Sequence, residues 1–444
     1  MENTTYKRKR RYKPTFGKNN SNNANRPDRS NQSNNRNTSN NSDRPNRPDR
    51  PNRTSGIQGN NRRPARSGGT GRKKSTLDPS LLIRKATQTL VKDYRSDRLI
   101  DNLPISPNLK ECLIKKGFER PTEIQDKTLE TLLQGRDLLG IAQTGTGKTG
   151  AFLIPIIEQL LEHKKNPFAF ALVVVPTREL AIQVEEEFRS MTRGLGLYSA
   201  CFIGGTNLNK DIQTLRRYSH VIIATPGRLL DLVNRKVLDL RQFNTLVLDE
   251  FDRMLDMGFV HDVKRIINGM QQRKHTMLFS ATLDKTQQTL IGSILQNPVT
   301  VKVSNGNSTG DHIEQDIIRL AAGEDKFKVL HEMIVNKDFQ KVLLFEETKH
   351  KANRLCIKLN KAGILSDEIH GNKSQNARQR ALNAFKQGSI RVLVATDVAA
   401  RGIDVTDVTH VINYQVPMTF SSYIHRIGRT GRAGKAGKAF TFVD

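Results

Sequence analysis

Short apolar runs alternate with helix-like amphipathic segments over the central part of the chain. The runs read DLLGIA, FALVVV, VIIAT, TLVLDE and TMLFSAT, and the residues between them predict helices around 149–161, 178–191 and 226–233. Strands that alternate with helices favour right-handed crossovers and a parallel sheet that is covered on both faces. The pattern therefore predicts an α/β fold.

The alternation stops at residues 304–311, SNGNSTGD, and then resumes. Such a cluster of Gly, Ser and Asn is typical of a linker. The apolar runs beyond it are DIIRL, KVLLFEE, RVLVATD and HVINYQV. We expect two α/β domains, at 77–303 and 314–444, joined by a linker at 304–313. The first domain opens with LDPSLLIRKATQTLVKDY, which predicts an amphipathic helix.

The first 76 residues are poor in apolar side chains and rich in Asn, Arg and Pro. They hold 20 Lys and Arg against 4 acidic residues, a net charge of +16 out of +28 for the whole chain. A segment with so little to bury is expected to be a disordered basic tail. Its charge indicates a nucleic acid partner, or else serves only solubility. Tyr6, Tyr12 and Phe16 lie among basic residues, which suits single-stranded nucleic acid, and the tail is also a candidate site for protein partners.

The cysteines and the apolar runs indicate the compartment. Cys112, Cys201 and Cys356 lie far apart, with the spacing of neither a disulfide framework nor a zinc site. No apolar run reaches the roughly 18 residues that a transmembrane helix needs, and the N-terminus lacks the apolar segment of a secretory signal. We therefore expect a cytoplasmic protein with no membrane partner.

A candidate phosphate-binding loop follows the first apolar run and precedes a predicted helix. In this context Gly145 and Gly147 allow backbone N–H groups to face phosphate oxygens at a helix N-terminus. Lys148 is the residue that would reach the outer phosphates, and Thr149 is a candidate ligand of Mg²⁺. Alanine replaces the first glycine of the usual loop. The candidate nucleotide-binding residues are Ala142, Gln143, Thr144, Gly145, Thr146, Gly147, Lys148 and Thr149.

Two acidic residues end the run TLVLDE about a hundred residues later. Ligands of open parallel sheets bind beyond the carboxyl ends of the strands, so both side chains are expected to face that crevice. Asp249 is a candidate Mg²⁺ ligand, and Glu250 is a candidate base for the attacking water. Seen alone, the pair also fits an ordinary acidic loop. Together with the phosphate loop, it predicts an ATP-hydrolysing site.

From residue 99 onward the sequence resembles the DEAD-box RNA helicases of superfamily 2. GFERPTEIQ (117–125) is similar to the family's Q motif, and AQTGTGKT to its phosphate loop. PTRELA, the glycine pair at 204–205, TPGR, DEFD (249–252) and SAT follow in the family's order, and then LLFEET, the QxxR element, TDVAARGID and HRIGRTGR. The resemblance implies two tandem RecA-like domains behind the basic tail.

The resemblance also implies a role for single residues. Gln125 would read adenine, and Asp404 would meet the ribose of ATP from the second domain. Arg429 and Arg432 match arginine fingers, which stabilise charge on the γ-phosphate. The residues expected to bind the RNA backbone without reading bases are Thr177, Arg178, Gly205, Thr225, Gly227, Arg228, Arg378 and Thr396. Those expected to couple the two domains are Asp252, Ser280, Thr282 and His425.

Two positions depart from the family's pattern. Phe251 replaces the alanine of DEAD, and we expect its ring to lie next to the magnesium carboxylates. Ile100 stands where the family has an aromatic residue that stacks on adenine, so it would cover the base without π stacking. Adenine affinity is therefore expected to be weaker than in a protein with the aromatic residue.

The resemblance implies an RNA-dependent ATPase whose domains close on ATP and RNA and open after hydrolysis. Two other functions stay open at the level of sequence. One is a DNA helicase of the same superfamily that translocates along its strand. The other is an ATP-gated RNA clamp or assembly scaffold, which unwinds little and relies on its tail for adhesion.

Overall fold

The computed structural model describes residues 77–86, 94–143, 145–162, 170–303, 313–400, 405, 407–431 and 437–443. The predicted tail and nearly all of the predicted linker lie outside these residues, as do Thr144, Asp404 and Arg432 among the candidate site residues. Two parallel sheets organise the described part of the chain. We name the residues from 94 to 303 the first lobe and those from 313 to 443 the second lobe.

The first lobe contains a seven-stranded sheet in the order β3-β4-β2-β5-β6-β1-β7, with every neighbouring pair parallel. Its strands are β1 (Leu138–Ile141), β2 (Phe170–Val174), β3 (Ser199–Phe202), β4 (Val221–Ala224), β5 (Phe243–Leu248), β6 (His275–Ser280) and β7 (Val299–Lys302). The five strands predicted from apolar runs are all present. β3 (SACF) and β7 (VTVK) were not predicted, because each has only four residues and includes polar ones.

The second lobe contains a six-stranded parallel sheet in the order β10-β11-β9-β12-β13-β8. Its strands are β8 (Ile313–Arg319), β9 (Val342–Glu346), β10 (Ser366–Ile369), β11 (Val392–Thr396), β12 (His410–Asn413) and β13 (Gly437–Val443). The prediction of two α/β domains with parallel sheets is therefore confirmed.

Helices connect the strands, as parallel pairing requires. In the first lobe they are α1 (Pro107–Lys115), α2 (Glu123–Leu133), α3 (Lys148–Glu162), α4 (Arg178–Met191), α5 (Leu208–Leu215), α6 (Pro226–Asn234), α7 (Phe251–Asp256), α8 (Val260–Gly269) and α9 (Lys285–Ile294). In the second lobe they are α10 (Lys326–Val335), α11 (Lys349–Lys361), α12 (Gln375–Lys386), α13 (Asp397–Ala400) and α14 (Phe420–Ile427). In the described part of the chain, no helix has the length and apolar character to cross a membrane.

The sequence of α4 shows why these helices form where they do. The Thr177 side chain accepts a hydrogen bond from the Leu180 backbone N–H, and so caps the helix N-terminus. Leu180, Val184 and Phe188 then follow at helical spacing and are buried. The apolar face of α4 packs on the sheet and its polar face points outward.

Both faces of the first sheet are packed. Within β5, Leu246 and Leu248 belong to the core on one face and Val247 to the core on the other. Strands buried on both faces appear as continuous apolar runs, which explains why the sequence revealed them.

The predicted amphipathic helix at 77–94 is wrong for the residues that the structure describes. Asp78 caps a single 3₁₀ turn, Pro79–Leu82, and the chain is extended from Ile83. Leu82 is fully buried in the core of the second lobe, and Arg84 forms an antiparallel bridge with Gln315 of β8. The apolar residues of this segment therefore reflect docking on the second lobe, and residues 87–93 of the predicted helix lie outside the described ones.

Candidate functional site

The order of strands in the first sheet separates the candidate residues into two groups at its carboxyl edge. The phosphate loop, DEFD and SAT follow β1, β5 and β6, which are neighbours in one half of the sheet. PTRELA, the glycine pair and TPGR follow β2, β3 and β4, which form the other half. The fold therefore separates the candidate nucleotide-binding residues from the candidate RNA-binding residues, and we name these two parts of the edge the nucleotide half and the RNA half.

The phosphate loop has the backbone conformation that its glycines predict. Gly145 and Gly147 have φ values of +89° and +94°, in the left-handed region that favours glycine. A Cβ on Gly147 would overlap the Thr122 side chain. The Thr146 hydroxyl donates to the Gln143 carbonyl at 2.8 Å, and α3 begins at Lys148. This arrangement presents a helix N-terminus, the element that binds phosphate groups.

Lys148 and Asp249 form the centre of the nucleotide half. The Lys148 Nζ lies 4.0 Å from Asp249 Oδ1, and both side chains are buried. Within the part of the chain that the structure describes, this buried ammonium has no hydrogen-bond partner. Burial raises the pKa of Asp249, and Lys148 opposes that rise. The Lys148 ammonium beside the Asp249 carboxylate fits the phosphate groups of a nucleotide and their Mg²⁺ ion. The Thr149 hydroxyl, like the Asp249 carboxylate, offers an oxygen atom that could bind that ion.

Glu250 has an unusual backbone conformation. Its φ and ψ are 53° and 49°, a left-handed conformation that non-glycine residues rarely adopt. Such strain is often retained at functional sites. The left-handed conformation of Glu250 turns the chain from β5 into α7 and leaves Glu250 at the N-cap position of α7.

Arg253, which the sequence analysis missed, contacts the candidate base. Its Nη1 lies 2.6 Å from Glu250 Oε2, and about 5% of either side chain is exposed. Burial favours the neutral form of Glu250, but Arg253, Lys148 and Arg429 together hold its pKa below the usual range. The spacing of three residues across a helix start could have revealed this pair.

Arg429 and Glu250 interact electrostatically although they belong to different lobes. Arg429 follows α14 of the second lobe and is buried, and its charge acts on the Glu250 carboxylate in the first lobe. The structure thus brings a predicted arginine finger to the nucleotide half.

Asp252 joins DEFD to SAT within the first lobe, and the role of these residues in coupling the two domains stays a prediction. Asp252 Oδ2 accepts hydrogen bonds from the backbone N–H groups of Ala281 and Thr282 and from the Thr282 hydroxyl, at 3.0–3.2 Å. Ser280 Oγ donates to the Thr282 carbonyl at 2.7 Å. The backbone N–H of Ala142 donates to the Ser280 carbonyl at 3.0 Å, which connects the phosphate loop to the same group. His425 lies on α14 and lines a small cavity with Asp397 and Arg429.

Gln125 contacts the phosphate loop. Its Nε2 donates to the Gly147 carbonyl at 3.1 Å, and its Oε1 accepts from the Thr122 backbone N–H at 3.0 Å. The amide that is expected to read adenine therefore forms a capping box at the start of α2 and braces the loop.

Both positions that depart from the family's pattern lie in the core of the first lobe. Phe251 is fully buried in a core cluster with Leu248 and Met254, so its ring belongs to the core of the first lobe and is not exposed in the crevice. Ile100 is only 1% exposed and packs in the first lobe's core, which leaves little surface to cover a base.

In the RNA half, Arg178 lies against the glycine pair. A Cβ on Gly205 would overlap the Arg178 guanidinium, and Gly205 has a φ of +80°. Burial and the nearby charges of Arg378 and Arg228 lower the pKa of Arg178. Arg178 therefore lies close to two further guanidinium groups, those of Arg378 and Arg228.

Arg228 serves a structural role within the RNA half. Its guanidinium forms a salt bridge with Asp211, and donates to the Thr206 hydroxyl at 3.0 Å and the Thr206 carbonyl at 2.9 Å. Both charged side chains are largely buried. Arg228 therefore fixes the loop after the glycine pair, and Asp211 is a second residue that the sequence analysis missed.

Arg378 connects the two lobes. Its Nε donates to Glu179 Oε1 in α4 at 2.8 Å, and Gln375 Nε2 donates to the same oxygen at 3.2 Å. Glu179 and Arg378 are both buried. The QxxR element thus contacts PTRELA directly, and Glu179 is a third residue that was missed.

The other candidates lie at helix starts and strand ends. Thr177 and Thr225 are the N-cap residues of α4 and α6, and Gly227 lies in the first turn of α6. Thr396 is the last residue of β11. N-termini of helices provide unpaired N–H groups for phosphate oxygens.

Comparison with known proteins identifies two family models along the chain. Residues 122–290 match the DEAD/DEAH box helicase model, and residues 325–434 match the helicase conserved C-terminal domain. The DEAD-box ATP-dependent RNA helicase CshA of Geobacillus kaustophilus is 42% identical over 341 residues, covering 77% of this chain and 72% of that protein. CshA of Bacillus cereus is 41% identical over 341 residues, and this chain spans 64% of its length.

Solved structures of helicases superpose on both lobes. The DEAD-box helicase Mss116 bound to single-stranded RNA and UDP-BeF has a TM-score of 0.71 at 30% identity, covering 79% of this chain and 76% of that one. Dbp5 of S. cerevisiae bound to RNA and ADP BeF3 has a TM-score of 0.68 at 32% identity, covering 78% and 89%.

Proposed function

The chain belongs to the DEAD-box ATP-dependent RNA helicases, and from this premise we propose that it is an RNA-dependent ATPase that unwinds short duplexes or remodels RNA–protein complexes. The observation that carries the proposal is the buried group of Lys148, Asp249 and Glu250, on which Arg429 of the other lobe acts. Hydrolysis of ATP to ADP and phosphate requires these charges in one place.

The nucleotide would bind with its phosphates at the phosphate loop. Lys148 would neutralise the outer phosphates, and Thr149 and Asp249 would hold Mg²⁺. That ion, when bound, neutralises charge on the β- and γ-phosphates. The Lys148 ammonium has no hydrogen-bond partner among the described residues, and this supports the assignment, because a buried donor without an acceptor is costly unless a ligand supplies one.

Glu250 would orient the attacking water and accept its proton. A base must be ionised to do so, and the pKa of Glu250 is held low by Arg253 in spite of burial. Arg429 would neutralise charge that develops on the γ-phosphate, together with Arg432, and Asp404 would contact the ribose. Because the arginines belong to the second lobe, hydrolysis would require the lobes to meet.

RNA would lie across the half of the edge that contains Arg178, Gly205 and the starts of α4 and α6. Backbone N–H groups, small hydroxyls and guanidinium groups bind phosphates and ribose without reading bases, so we expect binding without sequence specificity. The helicases with TM-scores of about 0.7 were solved with RNA, which supports RNA over DNA as the ligand.

A three-way ATPase assay tests this proposal. Turnover is measured with RNA, with DNA of the same sequence, and with neither, beside separation of a short RNA duplex. We expect stimulation by RNA alone. Equal stimulation by DNA would favour the translocating DNA helicase, and RNA binding gated by ATP without strand separation would favour the clamp.

Two variants test the site itself. Lys148→Ala and Glu250→Gln should each nearly abolish RNA-stimulated turnover, and Glu250→Gln should still bind ATP. Lys264→Ala, which removes an exposed lysine of the same lobe, is the control. Normal turnover in either site variant would refute the assignment.

The basic tail would tether the motor to RNA between cycles. Each phosphate neutralised on a single strand contributes roughly −0.7 to the slope of log K against log salt. Deletion of residues 1–76 should therefore flatten that slope and leave turnover at saturating RNA nearly unchanged. Identical slopes would show that the tail does not bind RNA.

The three unpaired cysteines support a reducing compartment such as the cytoplasm.

A further inference from the structure

The segment before the first lobe is held by the second lobe. Leu82 is fully buried in the second lobe's core cluster, and every other residue of that cluster lies at or after Ile313. Its neighbours Leu81 and Ile83 are 58% and 51% exposed. One buried side chain between two exposed ones is typical of a short docking peptide, not of an amphipathic helix.

Polar contacts fix the same segment. The Arg84 N–H donates to the Gln315 carbonyl at 2.9 Å, and the Gln315 N–H donates to the Arg84 carbonyl at 2.7 Å. The buried Tyr423 hydroxyl lies 3.3 Å from the Leu82 carbonyl and 3.0 Å from the Gln315 side-chain oxygen. β8 is an edge strand of the second sheet, so these residues cover part of an edge that would otherwise expose unpaired backbone groups.

The chain then returns to the first lobe. Tyr94, Ser96 and Arg98 all donate to the Asp126 carboxylate of α2, at 2.5–2.7 Å. Arg98 also pairs with Glu130 at 2.7 Å. Between Ala86 and Tyr94 lie eight peptide steps, which span at most roughly 28 Å when fully extended. The two lobes are therefore connected a second time, in addition to the residues between Val303 and Ile313.

We propose that residues 77–86 are a docking segment for the surface that β8 and Tyr423 form on the second lobe, and that they stay bound there when the lobes separate. The basic N-terminal region would then move with the second lobe, although it precedes the first lobe in sequence. The second connection would also limit how far the lobes open.

The test places fluorescent labels on the full chain, with Cys112, Cys201 and Cys356 replaced by Ser. One pair of labels is attached through Leu81→Cys and Ile357→Cys, both exposed positions, the latter on α11 of the second lobe. The other pair is attached through Leu81→Cys and Tyr198→Cys, the latter exposed on the first lobe. We expect the energy transfer of the first pair to be the same with and without ATP and RNA, and that of the second pair to change.

Leu82→Asp should release the segment and lower the transfer of the first pair. Loss of one buried leucine changes the ratio of docked to undocked chains by roughly 10- to 100-fold. Ile83→Asp, at an exposed neighbour, is the matched control and should leave the transfer unchanged. Arg84→Pro, which removes the N–H that Gln315 accepts, should act like Leu82→Asp without touching the core.

Unchanged transfer in both Leu82→Asp and Arg84→Pro would overturn the proposal. The proposal would also fail if the first-pair distance changed when nucleotide binds while the second-pair distance stayed the same, because the segment would then move with the first lobe. Neither readout depends on ATP hydrolysis, so failure of the docking and failure of the proposed function are distinguishable.

Discussion

At the scale of single residues, the direction in which a side chain points decides whether it takes part in the chemistry or in the packing of the core. Glu250 and Phe251 are adjacent, yet one faces the nucleotide half and the other is fully buried in the core. The left-handed backbone at Glu250 produces this division. A substitution at Phe251 therefore tests packing, and a substitution at Arg253 tests the chemistry.

Phe251→Ala should destabilise the first lobe without touching the carboxylates. Removal of a buried phenylalanine ring costs about 3–5 kcal/mol of the free energy of unfolding, because a cavity remains. Phe420→Ala, at a position 46% exposed, should cost much less. Urea unfolding of both variants gives the comparison, and a Phe251→Ala midpoint equal to that of the parent would place the ring outside the core.

Arg253→Lys should lower ATP turnover while ATP still binds. Lysine keeps the charge but not the guanidinium geometry, so the Glu250 carboxylate would lose its 2.6 Å partner and its orientation. A general base contributes typically 10²–10⁴-fold, and we expect a loss of about tenfold or more. Arg241→Lys, an exposed arginine of the same lobe, is the control. Turnover that matches the parent's would show that Arg253 only stabilises the fold.

At the scale of elements, the sequence predicted the helices and strands whose capping residues and apolar spacing are visible within their own segment. α4 begins and ends where its cap and apolar spacing indicate, and β5 appears as a continuous apolar run. β10 was missed because its residues SDEI include two acids, and its place in the sheet depends on pairing with β11. The segment at 77–86 was misread because its one buried leucine packs on residues more than 200 positions away.

β12 contains a histidine whose titration should affect stability. The His410 ring stacks on Phe339 at a centroid distance of 4.0 Å, and burial, followed by the Lys438 charge, lowers its pKa from 6.5 to about 4. Below about pH 6.5 the unfolded chain gains a proton that the folded chain does not gain until about pH 4. The stability contributed by neutral His410 is therefore full above pH 6.5 and is lost as pH falls through this window.

Urea midpoints at about pH 7.5 and about pH 5 measure the effect. The parent should lose on the order of 1–3 kcal/mol more than His410→Phe, which keeps the stacking and removes the titration. His350→Phe, at an exposed position, should behave like the parent. An equal loss of stability in the parent and in His410→Phe would assign the acid sensitivity to other groups.

At the scale of the whole molecule, function depends on contacts between lobes that no local pattern encodes. The motifs predicted candidate residues for binding nucleotide and RNA, because each motif is local. They did not indicate that Arg378 would meet Glu179, which lies 199 positions away, whereas the match of Arg429 to an arginine finger did imply that it would reach the nucleotide site. The interface between lobes therefore had to come from the structure.

The Glu179–Arg378 pair should stabilise the closed arrangement of the lobes. Both side chains are buried, so reversal of one charge leaves two like charges facing each other, whereas reversal of both restores the attraction. We expect Glu179→Arg and Arg378→Glu each to raise the RNA concentration for half-maximal ATPase. The double variant should recover part of the loss, with a coupling on the order of 1–3 kcal/mol.

Exchange of the exposed pair Glu111–Lys115 on α1 of the same lobe is the matched control, and we expect little or no coupling there. The ATPase titration also distinguishes the two roles that Arg378 has been given. If Arg378 mainly holds the lobes together, its loss is compensated by Glu179→Arg. If it mainly contacts RNA phosphates, Arg378→Glu stays defective in the double variant, because a carboxylate repels the strand whatever faces it across the interface.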